Sequence, residues 1–238
     1  MKSRTSPARS SYDTGHGDLE ASLVLVFPVL LAYEVGVLFT GRVNGADVVT
    51  RALYATLGSR TLYLLLHAAI AALFLIWIRG ANRWGTLRLE VVAPVVLEAL
   101  IYALTLGAAI TLVLSHLLGM SIGGAGPNVG STVVSALGAG VHEELVFRLG
   151  LLAGMVAFLR GGRHPMDRRA AVALAFVLSA PLFALAHHAG ANGEPFTWHA
   201  FAFRTFAGLA FGAIFWFRSL AHAVYAHALY DLVVAIWS

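Results

Sequence analysis

Three short polar clusters interrupt otherwise apolar sequence and carry side chains that could do chemistry. In HEELVFR (142–148), Glu144 and Arg148 are four residues apart. On a helix this spacing brings two side chains together in the favourable acid-before-base order, so the two charges neutralise each other in a low dielectric. Glu143 then points to another face, about 100° away. A carboxylate held near both a negative and a positive charge has a tunable proton affinity, which is what a general base requires. Taken alone, the segment serves equally well as a structural ion-pair cluster. In SAPLFALAHH (179–188), Ser179, Phe183 and His187 recur every four residues and share one helical face. In HALYD, His227 and Asp231 are again four apart. A carboxylate there fixes the imidazole tautomer by accepting from one ring nitrogen, leaving the other to face a substrate. A single intramembrane histidine is usually satisfied structurally. Three such clusters on three separate apolar segments favour a functional site.

The elements that position them must be membrane helices. Of the 238 residues, 59% are hydrophobic and 12% charged, and the mean hydropathy is +0.79. Soluble domains carry about 25% charged residues, so a water-soluble fold is excluded, as is disorder, which needs a chain poor in apolar residues. At about 20 residues per span, the length accommodates six to eight spans. The absence of cysteine removes disulfides, thiol nucleophiles and cysteine-ligated metals. The net charge of +4 and pI near 9.8 fit the basic bias of cytoplasmic loops, and no basic stripe points to nucleic acid. Fifteen of the 16 basic residues are Arg, which hints at a GC-rich bacterial genome.

An all-α bundle of about seven transmembrane helices is therefore expected. Residues 1–18 form a polar cytoplasmic tail, and 19–238 a single transmembrane domain. The first span runs from Leu19 past Pro28 to Thr40, without a cleavage site of the signal-peptide kind. Further apolar segments lie at about 61–78, 94–119, 131–159, 170–190, 196–217 and 219–237. The stretch 46–58 is short and polar enough to lie in the interface. With the N-terminus inside, inner segments hold eleven basic residues and outer ones three, Arg42, Arg51 and Arg60. This places the N-terminus in the cytoplasm and the C-terminus outside. Charged groups at membrane depth mark candidate sites, but several have a plainer role. His67 and His116 lie near span ends, where a neutral imidazole reaches water or a carbonyl. Glu34 and Glu98 are single carboxylates suited to pairing with a neighbouring helix or lining a wet cavity.

Over about 131–235 the chain resembles the CAAX prenyl protease and bacteriocin-processing family of intramembrane endopeptidases. The family's EExxxR motif reads as Glu143, Glu144 and Arg148, its FxxxH motif as Phe183 and His187, and its final histidine pair as His227 and Asp231. A small-residue helix usually lies between the last two, and FAGLAFGAIF fits it, with Gly208 and Gly212 allowing close helix approach. The resemblance implies peptide-bond hydrolysis within the membrane by activated water, without a covalent intermediate. Glu143 would be the general base and His187 would orient the water. His227, with Asp231, would stabilise the oxyanion, and Glu144 and Arg148 would hold the constellation. The prenyl-protease branch has Asn where this chain has Asp231. An ionised carboxylate would repel an oxyanion, so Asp231 either orients an imidazolium at His227 or stays protonated.

The expected function is an intramembrane endopeptidase that cuts near the C-terminus or membrane-proximal part of a protein or peptide. Candidate substrates are a prenylated tail, a bacteriocin-type leader and a C-terminal sorting helix of the myxosortase kind. The expected partners are that membrane-anchored substrate and the lipid bilayer, without nucleic acid, and the expected location is a bacterial inner membrane. No cofactor is expected. Zinc is the alternative, since Glu143, His187, His227 and Asp231 are legitimate zinc ligands, although the sequence lacks the HExxH helix of common zinc proteases. It also lacks a GxSG segment for serine chemistry. The competing function is a non-proteolytic membrane scaffold or immunity protein that keeps the fold. A transporter would require paired repeats and broken helices in both halves, and neither is visible.

Overall fold

The computed structural model describes residues 19–41, 43, 44, 46–118, 129–189 and 193–237. The expected polar tail at 1–18 lies outside the described residues, as does the side chain of His116. Every regular element is helical: α1 (Leu19–Thr40), α2 (Val48–Leu57), α3 (Arg60–Gly80), a 3₁₀ turn (Trp84–Leu87), α4 (Leu89–Leu118), α5 (Val129–Gly138), a π-helical segment (Ala139–Ala153), α6 (Gly154–Arg160), α7 (Arg168–Ala186), α8 (Trp198–Phe217) and α9 (Leu220–Trp237).

Five of these, α1, α3, Leu89–Ile110 of α4, α7 and α8, are long and apolar enough to cross a membrane. The chain is a polytopic helical membrane protein. The remaining two apolar segments are the continuous helical run from α5 through the π segment to α6, and α9, whose apolar stretch Leu220–Ile236 is shorter. These two carry the EExxxR and HxxxD residues. The groups that make them chemically interesting are the same ones that make them less apolar. The stretch 46–58 forms α2, a separate short helix between the first two long ones.

Helix boundaries follow local chemistry. Asp47 caps α2 by accepting from Thr50 N, Ser59 caps α3, Asp167 caps α7 through Arg169 N and Ala170 N, and Thr197 caps α8 through Ala200 N. Gly58 closes α2 at φ 59°, a left-handed conformation that suits glycine.

Helix α9 runs through the centre, packed against α1, α4, α5, the π segment and α8. Its inward residues are small (Ala221, Ala223, Val224 and Ala226 are fully buried), so neighbouring backbones approach closely. At Gly140 in the π segment, an added Cβ would lie 2.8 Å from both Ala228 Cβ and Val224 O of α9. At Gly208 of α8 it would lie 3.2 Å from Ala180 Cα and O of α7, and at Gly212 3.2 Å from Phe176 Cε1. The expected close approach at these two glycines is therefore present. By contrast, α3 turns Leu65, Leu73 and Ile76 outward, the arrangement of a helix that faces lipid.

Candidate active site

The three sequence clusters converge. The π segment brings Glu143, Glu144 and Arg148, the C-terminal end of α7 brings Phe183 and His187, and α9 brings His227 and Asp231. Glu143, Phe183, His187, His227 and Asp231 line a common cavity of ≈ 290 Å³, with Asn44, Ser135, Phe203, Arg204, Phe211 and Tyr230. Glu144 and Arg148 stand behind it, 0% and 2% exposed, so they support the site and do not line it.

Glu144 is the hinge of the cluster. Its Oε2 lies 3.0 Å from Arg148 Nε, the expected i,i+4 pair, and its Oε1 lies 2.7 Å from His227 Nδ1. The expectation that Asp231 fixes the His227 tautomer is corrected here. Asp231 Oδ2 stands 3.8 Å away on the Nε2 side, beyond hydrogen-bonding reach, and Glu144 occupies the tautomer-setting position. Glu143 Oε2 lies 3.9 Å from His227 Nε2, so both acids address the same imidazole from opposite ring nitrogens. Both stand in the π segment, a geometry that recurs at functional sites.

His187 is fixed by its own helix. Its Nδ1–H donates to Phe183 O at 2.9 Å, so Nε2 is the nitrogen that faces Glu143 Oε2, at 3.4 Å, and in the neutral ring it carries the lone pair. Phe183 does more than space this motif. Its ring lies edge-on to His187, and the Arg148 guanidinium sits 4.3 Å above its centroid. This cation–π contact matters because neither Arg148 Nη1 nor Nη2 has a hydrogen-bond partner among the described residues. Phe211 stacks on His227 with centroids 4.5 Å apart and an interplanar angle of 13°.

Asn44 escaped the sequence reading. Its Nδ2 donates to Glu143 Oε1 at 3.2 Å from the loop between α1 and α2, ninety-nine residues away in sequence. The loop itself is fixed: Asn44 N donates to Tyr33 Oη and Asn44 Oδ1 accepts from Ala46 N. A lone Asn in a short polar loop gives no periodicity or motif from which this contact could be read. Glu98 proves to be a structural partner, pairing with Arg218 at 2.5 Å and accepting from Tyr102 Oη.

Fold and site together define a polytopic helical membrane protein with a buried glutamate–histidine cluster of the kind a membrane-embedded hydrolase requires. Residues 125–233 match the family model described as type II CAAX prenyl endopeptidase Rce1-like. That match spans all three clusters. No curated protein and no solved structure matches the chain.

Proposed function

We propose that the protein is a glutamate-dependent intramembrane endopeptidase that hydrolyses a peptide bond near the C-terminus or membrane-proximal part of a protein substrate. The observation that carries this reading is the convergence on Glu143 Oε2, in one cavity, of His187 Nε2 at 3.4 Å and His227 Nε2 at 3.9 Å. A water seated beside this pair in the cavity is within reach of Glu143 Oε2 as its proton acceptor and of His187 Nε2 as its second contact. Glu143 takes one proton as the water oxygen attacks the substrate carbonyl, and later delivers it to the departing amine. His227, donating Nδ1–H to Glu144, acts as an imidazolium whose Nε2–H meets the developing oxyanion. Asp231 then stands on the Nε2 side as a polar wall of the cavity, without a hydrogen bond to the ring, and is not itself an oxyanion donor. Glu144 and Arg148 hold His227 in register, and Asn44 holds the second oxygen of Glu143.

No step requires a metal. The carboxylate and imidazole donors of Glu143, His187, His227 and Asp231 are nonetheless chemically suited to zinc, which would supply Lewis-acid activation of the same water.

Access is proposed from the side opposite the basic residues. Arg79, Arg83, Arg88, Arg160, Arg168, Arg169 and Arg218 all lie at one end of the helices, by the direction in which each element runs. Asn44, His187 and Asp231 lie towards the other. With the basic end cytoplasmic, the cavity opens outward.

The test is cleavage in cells lacking the wild-type gene, read by comparing membrane-protein C-termini with those of the parent. Glu143→Gln, His187→Ala and His227→Ala should each abolish processing while the protein still accumulates in the membrane. Normal processing by Glu143→Gln would sink the assignment and favour a scaffold that keeps the fold.

A further inference from the structure

A second buried polar cluster lies behind the site, outside the catalytic motifs. Glu34 of α1, Asp47 at the start of α2 and His142 of the π segment each present a ligand atom, all within 4.8 Å of one another. His67 of α3 adjoins them, its Nε2 3.5 Å from Glu34 Oε2. Glu34 and Asp47 are 6% and 1% exposed. Among the described residues no Lys or Arg forms an ion pair with either, and burying two carboxylates together without one is costly.

The histidines supply an independent argument. His67 Nδ1–H donates to Tyr63 O at 2.8 Å, and His142 Nδ1–H donates to Gly138 O at 3.1 Å. In its neutral form each ring therefore aims its Nε2 lone pair at a carboxylate oxygen: His67 at Glu34, and His142 at Asp47 Oδ1, each 3.5 Å away. In that form lone pair faces lone pair twice, and His67 is itself 7% exposed. An imidazole pinned by a backbone carbonyl on one nitrogen is the usual arrangement of a metal ligand. Charge-assisted hydrogen bonds close to about 2.7–2.9 Å, shorter than either contact. Two donors about 2.0–2.2 Å from a tetrahedral ion, however, sit roughly 3.3–3.6 Å apart.

The carboxylates keep capacity for a cation. Glu34 accepts from Thr50 Oγ1 and Tyr63 Oη, and Asp47 accepts from Thr50 N and Tyr33 Oη. An ionised carboxylate offers about four acceptor sites, so each retains some for coordination.

We propose that Glu34, Asp47 and His142, with His67 beside Glu34, bind a divalent first-row transition ion with a structural role. It clamps α1, the start of α2 and the π segment together, immediately beside Glu143 and the Asn44 loop. Imidazole with carboxylate suits zinc, iron or manganese, and the two acidic charges balance a divalent ion.

Metal content of the purified full-length protein tests this independently of any cleavage. After growth with added zinc and removal of loose metal, wild type and His187→Ala should each hold about one transition-metal ion per chain. Glu34→Gln and His142→Gln should weaken binding by at least ~10–100-fold, the loss that follows from removing even an outer partner, and lose the ion on desalting. Should either variant fail to fold, the wild type still decides. Zinc should raise its thermal unfolding midpoint and a strong chelator should lower it. Wild type with neither bound metal nor a zinc-dependent midpoint overturns the proposal and leaves imidazolium–carboxylate pairs. Metal lost in His187→Ala but kept in Glu34→Gln also overturns it, moving the ion to the catalytic cluster.

Discussion

Asn44 Nδ2 reaches Glu143 Oε1 across 3.2 Å, tying the proposed general base to a loop outside the segment that matches the endopeptidase family. The contact leaves the other carboxylate oxygen, Oε2, facing the two histidines. A base that shares one oxygen with a fixed donor keeps one orientation, and that orientation determines where the attacking water sits.

Asn44→Ala should therefore lower the catalytic rate with little change in unfolding midpoint. A hydrogen bond to a charged group contributes about 1.5–3 kcal/mol, which corresponds to roughly 10- to 100-fold in rate. Asn44→Asp should be worse, since it sets a carboxylate against Glu143. Turnover of a cleavable peptide, measured beside thermal unfolding, checks both. Wild-type turnover in Asn44→Ala would show that the contact is idle.

Arg148 presents a different balance. It is 2% exposed and its ion-pair partner Glu144 is fully buried, so Arg148→Ala strands an acid in low dielectric. Removing one member of a buried pair costs about 3–5 kcal/mol, and Arg148→Ala should lose stability and cleavage together. Replacing both charges, as Arg148→Met with Glu144→Gln, should restore much of the stability but not the activity, because Glu144 also holds His227 Nδ1 at 2.7 Å. Unfolding midpoints of the single and double variants separate the two effects.

What could be read from the chain depended on periodicity. The i,i+4 spacing of Glu144 and Arg148, the shared face of Phe183 and His187, and the close approach at Gly208 and Gly212 all follow from helical geometry, and all are present. Contacts between helices leave no such mark: Glu144 of the π segment, and not Asp231 four residues along α9, is the partner of His227 Nδ1. Long-range loop contacts were equally silent: neither Asn44 nor the Asp47–Tyr33 hydrogen bond leaves a trace in local spacing. Glu34 and His67 each look like an isolated polar residue on an apolar helix. Their proximity exists only once α1, α2 and α3 are folded together.

Asp231 tests the division of labour around His227. Its carboxylate stands 3.8 Å from Nε2, too far for a tautomer-fixing hydrogen bond, while Glu144 already fills that role. Asp231→Asn should therefore keep cleavage within about tenfold of wild type, a difference of about 1.4 kcal/mol in the barrier. The amide preserves shape and polarity and matches the residue found in the prenyl-protease branch. Asp231→Leu should lose much more, because it removes the polar wall of the cavity. Relative turnover of the two variants decides the matter; equal, complete loss in both would make the carboxylate itself essential.

The least forgiving position outside the charged cluster should be Gly140. A methyl group there would stand 2.8 Å from Val224 O and 3.0 Å from Ala228 N. These are backbone atoms that cannot rotate aside, so the π segment must move off α9. Glu144 lies one turn further along that segment, and its partner His227 adjoins Ala228. Displacement at Gly140 therefore opens the Glu144–His227 contact directly. Overpacking of this kind costs about 1–3 kcal/mol, which a folded bundle tolerates, yet Gly140→Ala should reduce cleavage far more than its unfolding midpoint falls. Adding Ala228→Gly removes the methyl–methyl clash but not the one with Val224 O, so it should recover activity only in part. Full activity in Gly140→Ala would mean that the π segment and α9 need not be in close register for catalysis.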